Sequence, residues 1–287
     1  MQNPNYKIVR LVNGTYSVHS VAERETFHPV IGPVAEAEAL YVKQLKLRER
    51  IKKHFGEFVI WDVGLGAAAN VLTALRAAHE LPCSIRVLSF DHTIEPLRFA
   101  LQHATELGYF GGYETHVVDL LRDHRTTFSS GEQTVQWELH LGDFPTLLEN
   151  RLQQSAVWPK PHAILFDAFS PAKNPAMWTE KLFSNLFHAL DPARPCAMPT
   201  YSRSTMMRVT LLLAGFFVGV GHATGEKEET TIAANTLNLL DEPLDARWLQ
   251  RAKNSRSAEP MWEPIYRQAH LSAETWEKLI QHTQFKF

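Results

Sequence analysis

The feature that most constrains the fold of this chain begins at Phe58, where short apolar runs start to alternate with segments of helical periodicity. Strands joined by helix-length connections predict parallel βαβ units, and therefore an α/β fold with an open, doubly wound sheet. We expect seven strands, mostly parallel, near Phe58–Val63, Ile85–Phe90, Val135–Leu141, Ala163–Phe166, Cys196–Tyr201, Phe216–Val220 and Thr230–Ala234. The predicted helices between them are Ala69–His79, Glu95–Leu107, Phe144–Gln154, Met177–Leu190 and Ser204–Ala214. The last two strands follow each other closely, which predicts an antiparallel pair at one edge.

The segments on either side suggest three parts. Residues 1–56 are expected to form a β-hairpin, turning at Asn13-Gly14, and a basic helix from Gly32-Pro33 to about His54, packed on the core. Residues 57–235 are expected to form the ligand-binding domain, and residues 236–287 are expected to form a tail that wraps it. The stretch 111–132 is longer than a usual connection and is predicted to be an insertion near the ligand side.

Composition excludes several classes of protein. The chain has 287 residues, a net charge of −2 and only two cysteines, Cys83 and Cys196, so neither a disulfide framework nor a zinc cluster is expected. The longest apolar stretch, Val209–Val220, is shorter than the ~18 residues of a membrane span. The 14 histidines show no metal-ligand spacing. We therefore expect a cytoplasmic protein with no metal and no membrane contact.

A glycine-containing turn lies where the first predicted strand meets its helix. The sequence Asp62-Val63-Gly64-Leu65-Gly66 leads into a helix that contains Asn70, and the second strand ends at Asp91. Such a turn lets the backbone approach a ligand and offers free helix N–H groups, while an acid after the second strand can hold ribose hydroxyls. A plain strand-to-helix turn and a helix-capping Asp91 are the structural alternatives.

Two further carboxylates follow strands. Gly142-Asp143 ends the third predicted unit, although Asp143 also suits a helix N-cap. Asp167 follows the fourth strand. Burying a carboxylate there costs free energy unless the group has a function or an interaction partner. The loop after Asp167 is expected to line a pocket, and Tyr201 fits a core position as well as a pocket. His28 could fold over the site, although a lone histidine is more often structural.

The pattern Asp62-x-Gly64-x-Gly66, Asp91 and Gly142-Asp143 resembles the S-adenosylmethionine site of Rossmann-like class I methyltransferases. The segment Phe166–Trp178, Phe-Asp-Ala-Phe-Ser-Pro-Ala-Lys-Asn-Pro-Ala-Met-Trp, resembles the methyltransferase domain of MnmC-type tRNA-modifying enzymes. Further points of resemblance, in the same order along the chain, are Thr26-Phe27-His28-Pro29, Gly32, Glu36, Thr200-Tyr201-Ser202, Ala214-Gly215-Phe216 and Gly225-Glu226-Lys227.

The resemblance implies an S-adenosylmethionine-dependent N-methyltransferase that acts on the aminomethyl group of wobble 5-aminomethyl-(2-thio)uridine in tRNA. At this length we expect a stand-alone methyltransferase, with a separate oxidase acting on the same uridine. Asp167 is the expected acceptor for the substrate ammonium. The residues expected to contact the cofactor are Asp62, Gly64, Gly66, Asn70, Asp91, Gly142 and Asp143. Those expected to line the substrate pocket are Phe169, Ser170, Pro171, Asn174, Pro175 and Tyr201.

Contact with tRNA phosphates is expected from basic side chains, although a run of this kind is also typical of a solvated helix face. The residues are Lys43, Lys46, Arg50, Lys53 and Lys227. The first loop, Gly64-Leu65-Gly66-Ala67-Ala68-Ala69-Asn70, lacks the threonine and one of the glycines that are usual in the family it resembles. This departure and the near-neutral net charge leave two alternatives open. One is an enzyme that methylates, or transfers an aminopropyl group to, a small amine. The other is a non-catalytic protein of the same fold that binds RNA or a partner.

Overall fold

The computed structural model describes residues 5–154, 158–225 and 228–286. These residues form two compact units. The first contains residues 5–144 and 163–167 together with residues 223–225 and 228, and the second contains the remaining described residues.

The helices and strands follow the alternation in the sequence. Up to the end of the third predicted βα unit, they are β1 (Tyr6–Arg10), β2 (Tyr16–Ser20), β3 (Glu25–Thr26), α1 (Pro33–Ala37), a π-helix (Glu38–Lys43), α2 (Leu47–Lys53), β4 (Glu57–Val63), α3 (Ala69–Ala78), β5 (Ser84–Asp91), α4 (Glu95–Gln102), α5 (Ala104–Leu107), α6 (Glu114–Asp123), β6 (Arg125–Ser130), β7 (Gln133–Leu141) and α7 (Phe144–Gln153). The remaining elements are β8 (Ala163–Phe166), a 3₁₀ helix (Pro175–Trp178), α8 (Glu180–Ala189), β9 (Ala197–Thr200), α9 (Thr205–Leu213), β10 (Phe217–Gly221), β11 (Thr230–Ala234), α10 (Ala246–Lys253) and α11 (Ala273–Ile280), with short 3₁₀ turns at Leu237–Leu239 and Thr283–Phe285.

The first unit is built on a mostly parallel sheet with the strand order β8-β4-β5-β7-β6. The pairs β8·β4, β4·β5 and β5·β7 are parallel, and only β6 runs antiparallel, against β7. Six of the seven residues of β4 are buried, which is typical of a central parallel strand covered on both faces. The carboxyl ends of β4, β5 and β8 consequently meet at one edge, which confirms the predicted α/β fold with parallel strands.

The N-terminal segment of the first unit holds a small antiparallel sheet of β1, β2 and β3. Its hairpin turns at Asn13-Gly14 as predicted, and Gly14 has a φ of +87°. The helices that follow pack on α3, and Tyr41 in the π-helix donates a hydrogen bond to the carbonyl of Phe166 at 3.0 Å. This segment therefore reaches the end of β8.

The second unit contains an antiparallel set of strands in the order β10-β11-β9. The predicted antiparallel pairing of the last two strands is thereby confirmed. The outer edge of β10 is covered by the C-terminal segment: the Gln284 side chain accepts a hydrogen bond from Val218 N at 2.8 Å and donates one to Val218 O at 2.7 Å. An edge strand covered in this way does not offer its backbone to another chain.

Two sequence predictions are corrected. The continuous helix expected from Gly32-Pro33 to His54 is broken, because Lys46 adopts a left-handed conformation with φ at +49° before α2 begins. The stretch 111–132, expected as an insertion, forms α6 and β6, and β6 is an edge strand beyond the seven expected. The predicted boundaries at residues 56 and 235 stay a prediction. None of the helices in the described residues is long and apolar enough to cross a membrane.

Candidate cofactor and catalytic site

The glycine loop after β4 is hydrogen-bonded to the end of β5. Gly64 N donates a hydrogen bond to Phe90 O at 2.9 Å, and Gly66 N donates one to Asp91 Oδ2 at 2.9 Å. Gly66 has a φ of +52°, and a Cβ there would stand 3.3 Å from the Phe27 ring. Both the left-handed backbone and the close approach of Phe27 favour glycine at position 66.

Asp91 connects three segments at this edge. Besides Gly66 N, its side chain accepts a hydrogen bond from Thr93 N at 3.2 Å and lies 3.2 Å from His92 Nδ1, while its backbone carbonyl accepts from Gly142 N at 2.9 Å. The hydrogen bond that His92 donates to Asp91 raises the pKa of His92. A carboxylate offers about four acceptor positions, and these three contacts leave one for a ribose hydroxyl. A second position becomes free when the exposed His92 side chain turns away.

Asn70, in the first turn of α3, reaches the carboxylate that ends β8. Its Nδ2 donates a hydrogen bond to Asp167 Oδ2 at 2.7 Å. Asn70 is 3% exposed, and its Oδ1 is buried without a hydrogen-bond partner among the described residues. A buried acceptor without a donor is costly, so this amide oxygen is suited to a donor group on a bound molecule.

Asp62 lies beneath the loop in β4 and is 1% exposed. It accepts a hydrogen bond from Ser89 Oγ at 2.7 Å, and that hydroxyl in turn accepts from Trp137 Nε1 at 2.8 Å. Burial, with the charges of Asp91 and Asp167, raises the pKa of Asp62 to about 7, although the Ser89 hydrogen bond acts in the opposite direction. Asp62 is therefore poised to gain or lose a proton near neutral pH.

The structure adds two residues to the predicted site. His28 Nδ1 lies 3.3 Å from Glu36 Oε1, and His28 Nε2 lies 3.6 Å from Asp167 Oδ2. Burial lowers the pKa of His28, but the charge of Asp167 and the hydrogen bond to Glu36 raise it more, to about 8. From the sequence, His28 is expected either to fold over the site or to be structural, because a histidine far from Asp167 carries no spacing signal. The resemblance at Thr26–Pro29 and at Glu36 points to the same segment.

The residues expected to line the substrate pocket lie in the second unit. The loop after Asp167 is held from within that unit: Trp178 Nε1 donates to Phe169 O at 2.7 Å, and Tyr201 OH donates to Ala168 O at 3.0 Å. The turn at Ser170 is closed because its carbonyl accepts from Asn174 N at 2.8 Å. Phe169, Ser170, Pro171, Asn174, Pro175 and Tyr201 are all partly exposed.

The other predicted residues that the structure describes lie at or near the surface. Asp143 is exposed before α7, and its charge contributes to the raised pKa of His92. Lys43, Lys46 and Lys53 are exposed, but the Arg50 guanidinium lies over the Phe58 ring at 5.7 Å. Lys227 lies outside the described residues. No group of three or more His, Cys, Asp or Glu side chains fit to hold a metal occurs in the described part of the chain.

The first unit thus gathers carboxylates around a glycine loop at the carboxyl edge of its sheet. The side chains concerned are those of Glu36, Asp62, Asp91 and Asp167; His28 lies beside Glu36 and Asp167, and His92 lies beside Asp91. An acidic cluster suits a positively charged ligand, and the orphaned Asn70 oxygen suits an N–H or O–H donor. S-adenosylmethionine has a sulfonium, an ammonium and ribose hydroxyls, so the residues present fit it.

Comparison with known proteins agrees with this interpretation. Residues 114–236 match the family model described as S-adenosyl-L-methionine-dependent methyltransferase. A solved structure, MNMC2 from Aquifex aeolicus, superposes with a TM-score of 0.69 over 98% of this chain and 84% of that one, at 21% identity. That likeness establishes the fold.

Two curated relatives have the same name, tRNA 5-methylaminomethyl-2-thiouridine biosynthesis bifunctional protein MnmC. The relative from Aeromonas hydrophila is 31% identical over 68% of this chain and 30% of its own length. The relative from Methylibium petroleiphilum is 27% identical over 82% of this chain and 35% of its own length. The chain thus spans about a third of the length of these relatives.

Taken together, the sheet, the glycine loop and the family match define a class I methyltransferase that uses S-adenosylmethionine. Within that class, the chain is similar in sequence to part of the two MnmC relatives and similar in fold to MNMC2. Both conclusions agree with the resemblance found in the sequence. The roles of individual site residues stay predictions.

The raised pKa of Asp62 makes the stability of the protein depend on pH. The folded value is about 7 against an ordinary 3.8, so the stabilisation from neutral Asp62 is complete below 3.8 and is lost as the pH rises through 7. Asp62→Asn keeps an acceptor for Ser89 without the buried charge. In urea unfolding from pH 4 to 8, the wild type should lose stability relative to this variant, by at most about 1.4 kcal/mol per pH unit.

The control is Asp119→Asn on α6, a partly exposed acid that pairs with Arg122 at 2.8 Å. It should leave the pH dependence of the wild type unchanged. If Asp62→Asn and the wild type have parallel stability profiles, Asp62 is ionised throughout this pH range and its burial does not raise its pKa.

Proposed function

We propose that this methyltransferase transfers the methyl group of S-adenosylmethionine to the aminomethyl group of wobble 5-aminomethyl-(2-thio)uridine in tRNA. The observation that carries the proposal is the position of Asp167: a carboxylate at the end of β8, held by Asn70 and placed among other acids. The names of the MnmC relatives support a tRNA substrate and favour it over a small amine.

The cofactor supplies a methyl group that is already activated on a positive sulfur. The protein's own task is then to hold the amine in line and to let it keep its lone pair. An alkylamine is mostly protonated near neutral pH, so it needs a group that accepts a hydrogen bond from the ammonium and helps to remove a proton. In this proposal Asp167 performs that task, while Asn70 fixes one of its oxygens.

The remaining assignments are those that the sequence resemblance implies. Asp91 holds the ribose hydroxyls, the loop of Gly64 and Gly66 lies against the cofactor, and Asp143 lies on the adenine side. The loop 168–175 and Tyr201 line the pocket for the uridine. The separate oxidase that the resemblance implies and the cytoplasmic location expected from the composition stay predictions.

Cofactor binding tests the assignment of Asp91. Asp91→Ala removes charged acceptors from ribose hydroxyls, and such bonds contribute roughly 1.5–3 kcal/mol, so S-adenosylmethionine should bind about 10- to 150-fold more weakly by calorimetry. Asp119→Ala, on α6, is the matched control and should bind as the wild type does. The ribose-binding role of Asp91 would be contradicted if the wild type gave no measurable heat, or if Asp91→Ala bound S-adenosylmethionine within two-fold of the wild-type affinity.

Catalysis tests the assignment of Asp167. Asp167→Asn keeps the shape and an acceptor for Asn70 but removes the charge, so methyl transfer should fall by about 10²- to 10⁴-fold. Its affinity for S-adenosylmethionine should stay within a few-fold of the wild-type value. The substrate is undermodified tRNA with a free aminomethyl group, and the product is detected as a gain of one methyl mass on the wobble nucleoside.

Near-normal turnover by Asp167→Asn at saturating substrate would show that this carboxylate is structural. If the wild type leaves the tRNA unchanged but methylates a free small amine efficiently, the tRNA assignment is wrong. If it binds no cofactor at all, the chain is a non-catalytic member of its fold.

The exposed lysines before and within α2 are the proposed phosphate contacts. The variant Lys43→Glu/Lys46→Glu/Lys53→Glu spares Arg50, which packs on Phe58. Each lost contact should reduce the slope of log affinity against log salt by about 0.7 to 0.9, so this variant should bind tRNA more weakly with a shallower slope.

The control variant is Arg247→Glu/Arg251→Glu/Arg256→Glu, which makes the same change in charge at three exposed arginines of the second unit. If this control weakens tRNA binding as much as the lysine variant does, the binding surface is not the one around α2. Equal affinity of the lysine variant and the wild type at low salt would contradict the assignment as well.

A further inference from the structure

His28 is a buried histidine that lies between two carboxylates of the candidate site. Its Nδ1 is 3.3 Å from Glu36 Oε1 and its Nε2 is 3.6 Å from Asp167 Oδ2. The side chains of His28 and Glu36 are only 8% and 7% exposed, and that of Asp167 is 18% exposed. The imidazole therefore joins a deeply buried acid to the acid that we assign to the substrate amine.

The backbone fixes this histidine in place. The preceding residue, Phe27, donates its N–H to Val18 O at 2.9 Å and accepts a hydrogen bond from the Ser17 hydroxyl, so it is anchored to β2. His28 itself has a φ of +49°, a left-handed conformation that few non-glycine residues adopt. Such conformations persist where the surrounding structure imposes them, often at functional sites.

Glu36 determines which ring nitrogen of His28 carries the hydrogen when the imidazole is neutral. An ionised carboxylate only accepts hydrogen bonds, so the Nδ1 atom beside Glu36 carries its hydrogen. In the neutral imidazole, the lone pair is then on Nε2, directed towards Asp167 Oδ2. The same Oδ2 accepts a hydrogen bond from Asn70 Nδ2 at 2.7 Å, so Asn70 holds this oxygen in place beside Nε2.

We propose that His28 is a positioning residue for Asp167, and that its Nε2 receives the proton that Asp167 takes from the substrate amine. This inference rests on the proposed function. The ammonium N–H bond breaks and its electron pair stays on the amine nitrogen, while an O–H bond forms on Asp167. That O–H bond then breaks as an N–H bond forms on Nε2. The resulting imidazolium is stabilised by the two carboxylates and later returns the proton to water.

The relay works only when His28 is neutral before the reaction. Among the described residues, the charged groups that face its imidazole are Glu36 on α1 and Asp167 after β8, and together they raise its pKa to about 8. The rate should therefore rise with pH up to about 8. Removing the charge of Glu36 should move this rising part of the pH–rate profile, its acid limb, to lower pH, because one cause of the raised His28 pKa is gone.

A purely structural ion pair makes a different prediction. In that case, loss of His28 or Glu36 would lower stability and reduce activity by a similar factor at every pH. The pH at which the acid limb occurs therefore distinguishes a relay from a structural contact. The substrate amine is the same for the wild type and Glu36→Gln, so its ionisation cannot account for a difference between their acid limbs.

The experiment combines two measurements on the full chain: the titration of the His28 imidazole by NMR, and kcat/KM for aminomethyl tRNA from pH 6 to 9.5. The variants are His28→Gln and Glu36→Gln. Their matched controls are Glu38→Gln, two residues along from Glu36, and His19→Gln, whose imidazole contacts Thr26 at 2.8 Å outside the cluster.

We expect the His28 pKa and the acid limb of kcat/KM to move down together in Glu36→Gln. His28→Gln should lose at least about ten-fold in kcat/KM above pH 8 and much less near pH 6, where the wild-type histidine is already protonated. Both controls should retain the wild-type profile. If His28→Gln does not fold, the shift in Glu36→Gln is sufficient to decide the question.

A wild type that methylates the tRNA with an acid limb unmoved by Glu36→Gln overturns the relay and leaves the proposed function standing. A wild type that does not methylate this tRNA overturns the proposed function instead. The NMR titration needs no substrate, and a His28 pKa that does not respond to Glu36→Gln contradicts the relay in either case.

Discussion

The candidate site depends on one hydrogen bond, from Asn70 Nδ2 to Asp167 Oδ2 at 2.7 Å. It joins the first turn of α3, directly after the glycine loop, to the carboxyl end of β8. The parallel pairing of β4 with β8 places these two chain segments side by side, although they lie 97 residues apart in sequence. The loop that would contact a cofactor and the carboxylate that would meet a substrate are thereby held in a fixed relation, as transfer between two bound molecules requires.

The second constraint is electrostatic. Four carboxylates face the same edge of the first unit, those of Glu36, Asp62, Asp91 and Asp167, and burying them separately would be costly. The structure offsets this cost locally: Asp62 has a pKa near 7 and a hydroxyl partner, Asp91 accepts backbone N–H groups, and His28 lies between the other two. A cationic cofactor and a cationic amine are the ligands that such a site favours.

Much of this could be predicted from the sequence because local patterns carry it. Alternating apolar runs gave the strands, and Asp62, Gly64, Gly66 and Asp91 occur at strand ends that parallel pairing brings together. The rest depends on contacts between distant segments. No periodicity indicates that His28 reaches Asp167, that Asn70 donates to it, or that Lys46 interrupts the basic helix with a left-handed residue. Strand β6 was missed because its polar sequence, Arg-Thr-Thr-Phe-Ser-Ser, follows α6 and pairs only at an edge.

The most direct test of this account is a crystal structure of the protein with S-adenosylhomocysteine bound, since that molecule keeps the ribose, the adenine and the sulfur atom. We expect Asp91 within hydrogen-bond distance of both ribose hydroxyls, the loop of Gly64 and Gly66 against the amino-acid end, and the sulfur on the side of the loop that faces Asp167. A nucleoside bound elsewhere, or one whose ribose does not contact Asp91 while Asp167 points away from the sulfur, would contradict the account.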